Sequence, residues 1–236
     1  MEARLEIYEH CKEGLAKRQQ AVAESGGQVE FTFCDHKLVN FEGVFFIDAG
    51  MEGFVKNLPE ANQNGARFLE IGCGTGCVSV IHYLRNKTNL SYVLATDINR
   101  RALDNTSYNF KRHSVPGEVR YSDVFDSISE DEKFDLIFWN FPFVYLPTDA
   151  EDVSKLTVLD LSMVDAGYEA VERFMTGAHR HLRPGGKAIL GFSRTIGCPE
   201  ILEDKAKKEN RRLETIWSEN SSDIGFPASF ELIQLK

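Results

Sequence analysis

The sequence has no apolar run approaching the roughly 18 residues that a membrane-crossing helix requires. Its opening, MEARLEIYEHCKEGLAKRQQ, places charges every few residues where a secretory leader would carry an apolar stretch. The expectation is a soluble, cytoplasmic protein with no membrane partner. Cysteines are few and poorly placed for bonding: Cys11, Cys34, Cys73, Cys77 and Cys198 are odd in number, scattered and never spaced C-x-x-C. That argues against a disulfide framework and a zinc knuckle, and leaves reduced thiols acting as small apolar residues. The histidines lack H-x-x-x-H and H-E-x-x-H spacing, so no metal is assigned. Ser162 and Ser193 stand outside any nucleophile elbow, which excludes a hydrolase of that type. Basic residues are also short, 27 Lys and Arg against 36 Asp and Glu, a net charge of −9. This disfavours a nucleic-acid partner, because sequence-independent binding to nucleic acid rests on cations neutralising phosphates. The densest basic stretch, KAKKENRRLE, follows EILED and alternates in sign as a solvated helix face does.

What is present is enough apolar residue, 42% with 11% aromatic, to build one core with a small appendage. Residues 1–60 read as the appendage, and residues 61–236 as the main domain. Leu5, Tyr8, Leu15, Gln19 and Val22 recur at helical spacing until Ser25-Gly26-Gly27 stops them. QVEFTFCDHKLVNFEGVFF alternates as a β ribbon turned around Asp35-His36, and a helix ending near Pro59 follows. From Ala66 the pattern changes to apolar strands (ARFLEIG, SYVLATD, EVRYSD, FDLIFWN, KAILGFS, RLETIWSE, FELIQLK) separated by helical segments. Strand and helix alternating this way predict an α/β fold with a mostly parallel sheet covered on both faces. Residues 144–164 have no convincing period and read as a long insert.

FLEIGCGTGCVSV places Gly72, Gly74 and Gly76 where the first of these strands yields to a helix, with Glu70 just before. Glycines there let the chain turn tightly and let a ligand approach the main chain. The spacing is G-x-G-x-G, not the G-x-G-x-x-G that leaves room for a pyrophosphate. With a carboxylate before it, the loop suits a ligand that carries an ammonium group and no phosphate. Asp97 ends the second strand, where an acid can accept both hydroxyls of a ribose, and Asp123 ends the third, where a side chain could meet an adenine edge. Cys73, Ile98 and Val124 stand beside these positions. Together they describe a nucleoside with an amino-acid tail, and S-adenosylmethionine fits.

Over residues 66–236 the chain resembles the class I S-adenosylmethionine-dependent methyltransferases, including an LRPGG turn (Leu182 to Gly186) before the fifth strand. The resemblance implies a Rossmann-like sheet of seven strands, the last antiparallel, and S-adenosylmethionine as cofactor.

Asn140-Phe141-Pro142-Phe143 then falls at the end of the fourth strand and resembles the N-P-P-[YF] signature of enzymes that methylate planar nitrogen. A planar NH₂ has a delocalised lone pair, so it must be held with its nitrogen toward the methyl donor while oxygens accept its hydrogens. Asn140 Oδ1 and the Phe141 carbonyl could be those acceptors, with Pro142 stiffening the turn and Phe143 stacking on the flat group. Phe141 departs from the usual proline. It puts the rigidity of the turn and the shape of the slot in question, but leaves the carbonyl in place.

FEGVFFIDAGMEGFVKNL resembles a segment of the small-domain RNA and protein methyltransferases that lines the cofactor and acceptor side. That implies Phe45, Phe46 and Asp48 near the pocket, with Tyr145 flanking the slot. The expectation is an N-methyltransferase acting on an amino, amide or guanidino nitrogen of a small molecule or a peptide side chain, covered by the N-terminal segment and the insert. Asp149, Glu151, Asp152 and Asp160 of the insert could attract a cationic acceptor. RNA base methylation (adenine N6 or guanine N2) is the alternative, and a catalytically inactive cofactor-binding subunit the second; a nicotinamide oxidoreductase is disfavoured by the glycine spacing.

Overall fold

Apolar residues two helical turns apart make the opening segment a helix. Tyr8, Leu15 and Val22 form its buried seam in α1 (Glu2–Glu24). Gly26 and Gly27, both at φ +85°, turn the chain out of it. A computed structural model of the protein describes residues 2–45, 51–222 and 227–236. The expected ribbon follows as β1 (Gln28–Phe33) and β2 (His36–Phe41), antiparallel. Its two-residue turn is Cys34-Asp35, one position earlier than the sequence pattern suggested. Both residues lie in the left-handed region, at φ +48° and +62°, as a tight hairpin requires.

The outer edge of β2 is closed by side chains. Asn105 Oδ1 accepts from the Phe41 amide at 2.8 Å and Asn109 Oδ1 from the Val39 amide at 3.0 Å. Both Nδ2 groups donate to the Val39 carbonyl, at 2.7 and 2.9 Å. Two fully buried asparagines one helical turn apart thus take the place of a third strand.

After α2 (Glu52–Asn57), which ends before Pro59, come β3 (Ala66–Ile71), α3 (Cys77–Arg85), β4 (Leu90–Asp97), α4 (Arg100–His113), which carries that asparagine pair, and β5 (Gly117–Tyr121). The chain continues with β6 (Phe134–Asn140), β7 (Val144–Leu146), β8 (Val164–Ala166), α5 (Glu169–Gly177), β9 (Leu182–Phe192), α6 (Pro199–Lys208), β10 (Leu213–Ser221) and β11 (Ala228–Leu235). Seven strands form one sheet in the order β10-β11-β9-β6-β3-β4-β5. Strands β3, β4, β5, β6 and β9 run parallel, and β11 is antiparallel to both its neighbours. This is the sheet that the resemblance implied, including the reversed last strand.

Two details differ from the sequence reading. The insert is not structureless: β7 and β8 pair in parallel around two short 3₁₀ turns, Glu151–Lys155 and Asp160–Ser162. Strands of three residues are too short to show a period. The LRPGG stretch is a bulge inside β9, since the pairing with β6 jumps from Phe134↔Leu182 to Leu136↔Lys187. The five cysteines are free thiols, four of them buried. No helix among the described residues is long and apolar enough to cross a membrane.

Candidate active site

The carboxyl ends of β3, β4 and β6 open on a cavity of about 500 Å³, the place where open α/β sheets bind ligands. Gly72 and Gly74 line it at φ +62° and +53°. A Cβ on Gly74 would meet nothing within 4 Å, so a ligand has a clear approach to the main chain there. On Gly72 it would come within 2.8 Å of Trp139 Nε1, so the indole lies directly against the loop. Gly76, expected in the site, is the N-cap of α3 and does not line the cavity.

The carboxylates in the cavity wall are held by donors of the chain. Glu70 is buried and its Oε2 accepts from the Ser79 amide at 2.9 Å and from the Ser79 hydroxyl, which ties it to the first turn of α3. Burial raises its pKa to about 8; the Ser79 bonds oppose the shift and nearby Asp97 adds to it. Asp97 is enclosed by protein yet opens on the cavity. Its Oδ2 accepts from the Gly74 amide at 2.9 Å and its Oδ1 from the Asn99 amide at 2.8 Å. Burial raises its pKa despite those bonds. Each oxygen keeps a lone pair for a further donor, as a ribose diol would need.

Asp123 lines the cavity but is paired with Arg173 at 2.6 Å, so an adenine edge would have to share it. Ile98, Cys73 and Val124 line the cavity as expected. The Cys73 thiol is buried, which pushes its pKa well up. Asp165 also faces the cavity, although no motif had pointed to it. Its carboxylate accepts from the Ala170 and Val171 amides at 3.0 and 2.9 Å, capping α5, and burial raises its pKa to about 6.

At the end of β6, half-buried Asn140 lines the same cavity. Its Nδ2 faces Met51 Sδ at 3.6 Å, and its Oδ1 is buried without a hydrogen-bond partner. A Cβ on Gly191 of β9 would come within 2.8 Å of that oxygen, so only glycine leaves Asn140 this seat. Phe141 is 1% exposed and its ring stacks on Phe192 at 5.6 Å and 3°. What residue 141 offers the cavity is therefore its main chain. Phe143 lines the cavity but is walled by Phe54, Phe141 and Phe192, and Pro142, half-buried, lines it too. The Tyr168 hydroxyl, buried, donates to the Phe143 carbonyl at 2.6 Å and accepts from the Cys198 amide at 2.9 Å, pinning this turn. In the sequence Tyr168 belongs to none of the motifs that point to the site.

Phe45 lines the cavity, whereas Phe46 and Asp48 lie outside the described residues. Tyr145 does not line it: its ring meets Tyr168 edge-on at 5.2 Å. In the insert, neither Asp149 nor Asp160 lines it, Asp160 is taken up by Thr157, and the side chains of Glu151 and Asp152 lie outside the described residues. The N-terminal segment expected over the acceptor contributes α1, whose His10, Cys11, Gly14, Leu15 and Arg18 line the cavity, although the sequence reading named none of them as site residues. Their i, i+4 recurrence was the available signal.

The profile of the methyltransferase small domain family matches residues 35–157, just over half of the chain. Ribosomal RNA small subunit methyltransferase C of Mannheimia succiniciproducens is 29% identical over 136 residues, covering 58% of this chain and 34% of the relative. The release factor glutamine methyltransferase of Cereibacter sphaeroides is 32% identical over 138 residues, covering 56% and 48%. The chain spans between 34% and 50% of the length of the ribosomal RNA relatives it matches. Among solved structures, the T. thermophilus 16S rRNA N2 guanine methyltransferase, in complex with AdoMet and guanosine, shares the fold with a TM-score of 0.57 at 15% identity, covering 89% of this chain and 50% of that one. The expectation that net charge disfavours a nucleic-acid substrate finds no support among these proteins. Net charge averages over a whole surface, and says little about the field at one cavity.

Proposed function

The chain belongs to the methyltransferase small domain family, and from that premise we propose that it transfers a methyl group from S-adenosylmethionine to a planar amino, amide or guanidino nitrogen. The observation that carries the reading is Asn140: a carboxamide at the end of β6, in the cavity of Gly74 and Asp97, whose buried oxygen has no partner. An unpaired buried acceptor costs about 1–3 kcal/mol, a penalty that a substrate N–H would relieve. A half-turn of the terminal amide exchanges its oxygen and nitrogen, so the oxygen can also face the Met51 side, and Met51 lines the cavity.

The residues present fit the cofactor. Gly74 offers open main chain, Asp97 two oxygens for a diol, and Glu70 a carboxyl whose pKa burial has raised. An ammonium group nearby would offset that burial and favour the carboxylate. When bound, S-adenosylmethionine supplies a sulfonium-activated methyl group. The chain's part is then to orient the acceptor: Asn140 and the Phe141 carbonyl accept the hydrogens of the NH₂, Phe143 bounds its plane, and Tyr168 holds the turn that carries them. No strong base is required. The Phe141 ring packs into the aromatic core, so the departure from proline leaves its carbonyl in place. A second reading, a guanine base in RNA, is favoured by the relatives named for ribosomal RNA.

Asn140→Ala is expected to lower methyl transfer about 100-fold or more while leaving S-adenosylmethionine affinity, read by calorimetry, within about twofold. The assay is methyl release on a panel of amines, amides, guanidines and rRNA or tRNA fragments. Turnover close to wild type would sink the assignment, and the arm of the panel that responds separates the two readings.

A further inference from the structure

Strand β5 runs into a loop that the chain holds in an unfavourable shape. Val124 lines the cavity at φ +52°, a region that a β-branched side chain rarely enters. The Ser122 hydroxyl steadies it, donating to the Val124 carbonyl at 3.1 Å and accepting from the Ser127 amide at 3.0 Å. Strain of this kind persists only where the surroundings over-determine it, and it gathers at ligand sites. Here it sets Asp123 and Val124 on the cavity wall.

Helix α5 grips the same loop twice. Inside, Phe125 stacks on Phe174 at 5.7 Å and 22°, and a Cβ on Gly177 would come within 2.7 Å of the Phe125 ring. At the cavity, Arg173 Nη2 donates to Asp123 Oδ1 at 2.6 Å, and its Nη1 stands 3.9 Å from Asp126. Arg173 itself lines the cavity. The helix that carries it is fixed at its start by the Asp165 cap and along its length by buried Val171, Phe174 and Met175. With both side chains 46% exposed, the ion pair adds little to folding stability. What it fixes is the placing of Asp123.

Asp123 Oδ2 has no donor among the described residues, and the Arg173 guanidinium gives Asp123 one hydrogen bond and keeps further N–H groups. The cavity therefore meets an acceptor beside a donor. Adenine presents the complement along one edge, where its 6-amino group donates and N1 accepts. Hypoxanthine presents the reverse, an accepting O6 beside a donating N1–H. Alone, neither side chain would tell the two bases apart: a freed guanidinium would serve N1 or O6, and a freed carboxylate the 6-amino group or N1–H. Held together, they fit adenine only.

Resting on the S-adenosylmethionine reading, we propose that Arg173 is a specificity residue of the cofactor site: it holds Asp123 Oδ1 so that Oδ2 accepts from the 6-amino group of adenine, and it donates toward N1, the two side chains acting as one unit. The ion pair is then no obstacle to adenine. It completes the seat.

The test titrates S-adenosylhomocysteine and S-inosylhomocysteine, which differ only at that purine edge, into the full chain by calorimetry. Wild type is expected to bind the adenine ligand about tenfold or more tighter. Arg173→Met should bring the two ligands within about threefold of each other, chiefly by weakening the adenine ligand, with a thermal midpoint near wild type. Asp123→Ala should lose the preference as well, and adding Arg173→Met to it should change the ratio by no more than about twofold, as members of one unit do. If Arg173→Met fails to fold, Arg173→Gln is read in its place by the same criteria. A full preference surviving in Arg173→Met, a loss shared equally by both ligands, or additive losses in the double variant overturns the proposal. Equal binding of the two ligands by wild type leaves the S-adenosylmethionine reading standing and removes this one, whereas failure to bind S-adenosylhomocysteine removes both.

Discussion

Around Gly74 and Asp97 the cavity wall is made of main-chain groups that answer one another over short stretches, whereas around Asn140 it is made of aromatic rings drawn from widely separated parts of the chain. Asp97 is satisfied by amides at Gly74 and Asn99. Phe143, by contrast, is bounded by Phe54, Phe141 and Phe192, and Tyr168 ties its carbonyl to the Cys198 amide. The first kind of wall tolerates change at a distance and fails when its own donors or acceptors are removed. The second has few polar groups to lose, and fails when a neighbour presses on it.

The sharpest way to break this contrast is Gly191→Ala. The added methyl would sit 2.8 Å from Asn140 Oδ1 and displace the carboxamide, although residue 191 belongs to another strand. Methyl transfer is expected to fall by about 100-fold or more with cofactor binding little changed. If the variant kept wild-type turnover, the tightness around Asn140 would have no functional weight. Asp97→Ala has the opposite emphasis and a smaller effect. It strips two amides of their acceptor, and calorimetry should show S-adenosylmethionine affinity reduced about tenfold to 100-fold, at 1.5–3 kcal/mol for a charge-assisted bond. No loss would remove Asp97 from the cofactor half.

Glu70→Gln sharpens the comparison with the smallest effect. Glu70 has a folded-state pKa raised to about 8 from an ordinary 4.5, so the folded protein binds this proton more tightly than the unfolded chain. Stability from this group is then fully present below about pH 4.5 and declines as pH rises toward about 8. Relative to Glu70→Gln, the thermal midpoint of wild type should fall by a few degrees, at about 2–4 °C per kcal/mol, between pH 5 and pH 8 in the absence of ligand. Parallel curves would show that the Ser79 bonds fully compensate the buried charge.

These two walls also explain what could be read in the sequence. The alternation of apolar strands with helices yielded the parallel sheet, because strand period and helix period are local properties; the reversed last strand came only with the family resemblance. The glycine loop and Asp97 were legible for the same reason, since their partners lie close in sequence or on the next strand. Phe141 was not. Its place in the sequence marked it as part of a slot, but the ring that claims it, Phe192, is 51 positions away in a stretch that reads only as strand. The α1 stripe was visible as amphipathic spacing, yet nothing in periodicity says which neighbour an amphipathic face will meet. Gln19 was read as a member of that stripe; its role as a clamp on Gly43 and Val44 depends on where the ribbon exits.

The asparagine pair on α4 has a consequence for how the molecule comes together. Asn105 and Asn109 can meet the outer edge of β2 only when the turn between them is wound. The free edge of the hairpin is therefore held only where that helix is formed, and by side-chain amides instead of a full ladder of main-chain bonds. Such a seam should open before the central sheet does. Once open, it exposes a bare strand margin that a second chain could occupy, so the two amides also serve as a guard against unwanted pairing between molecules.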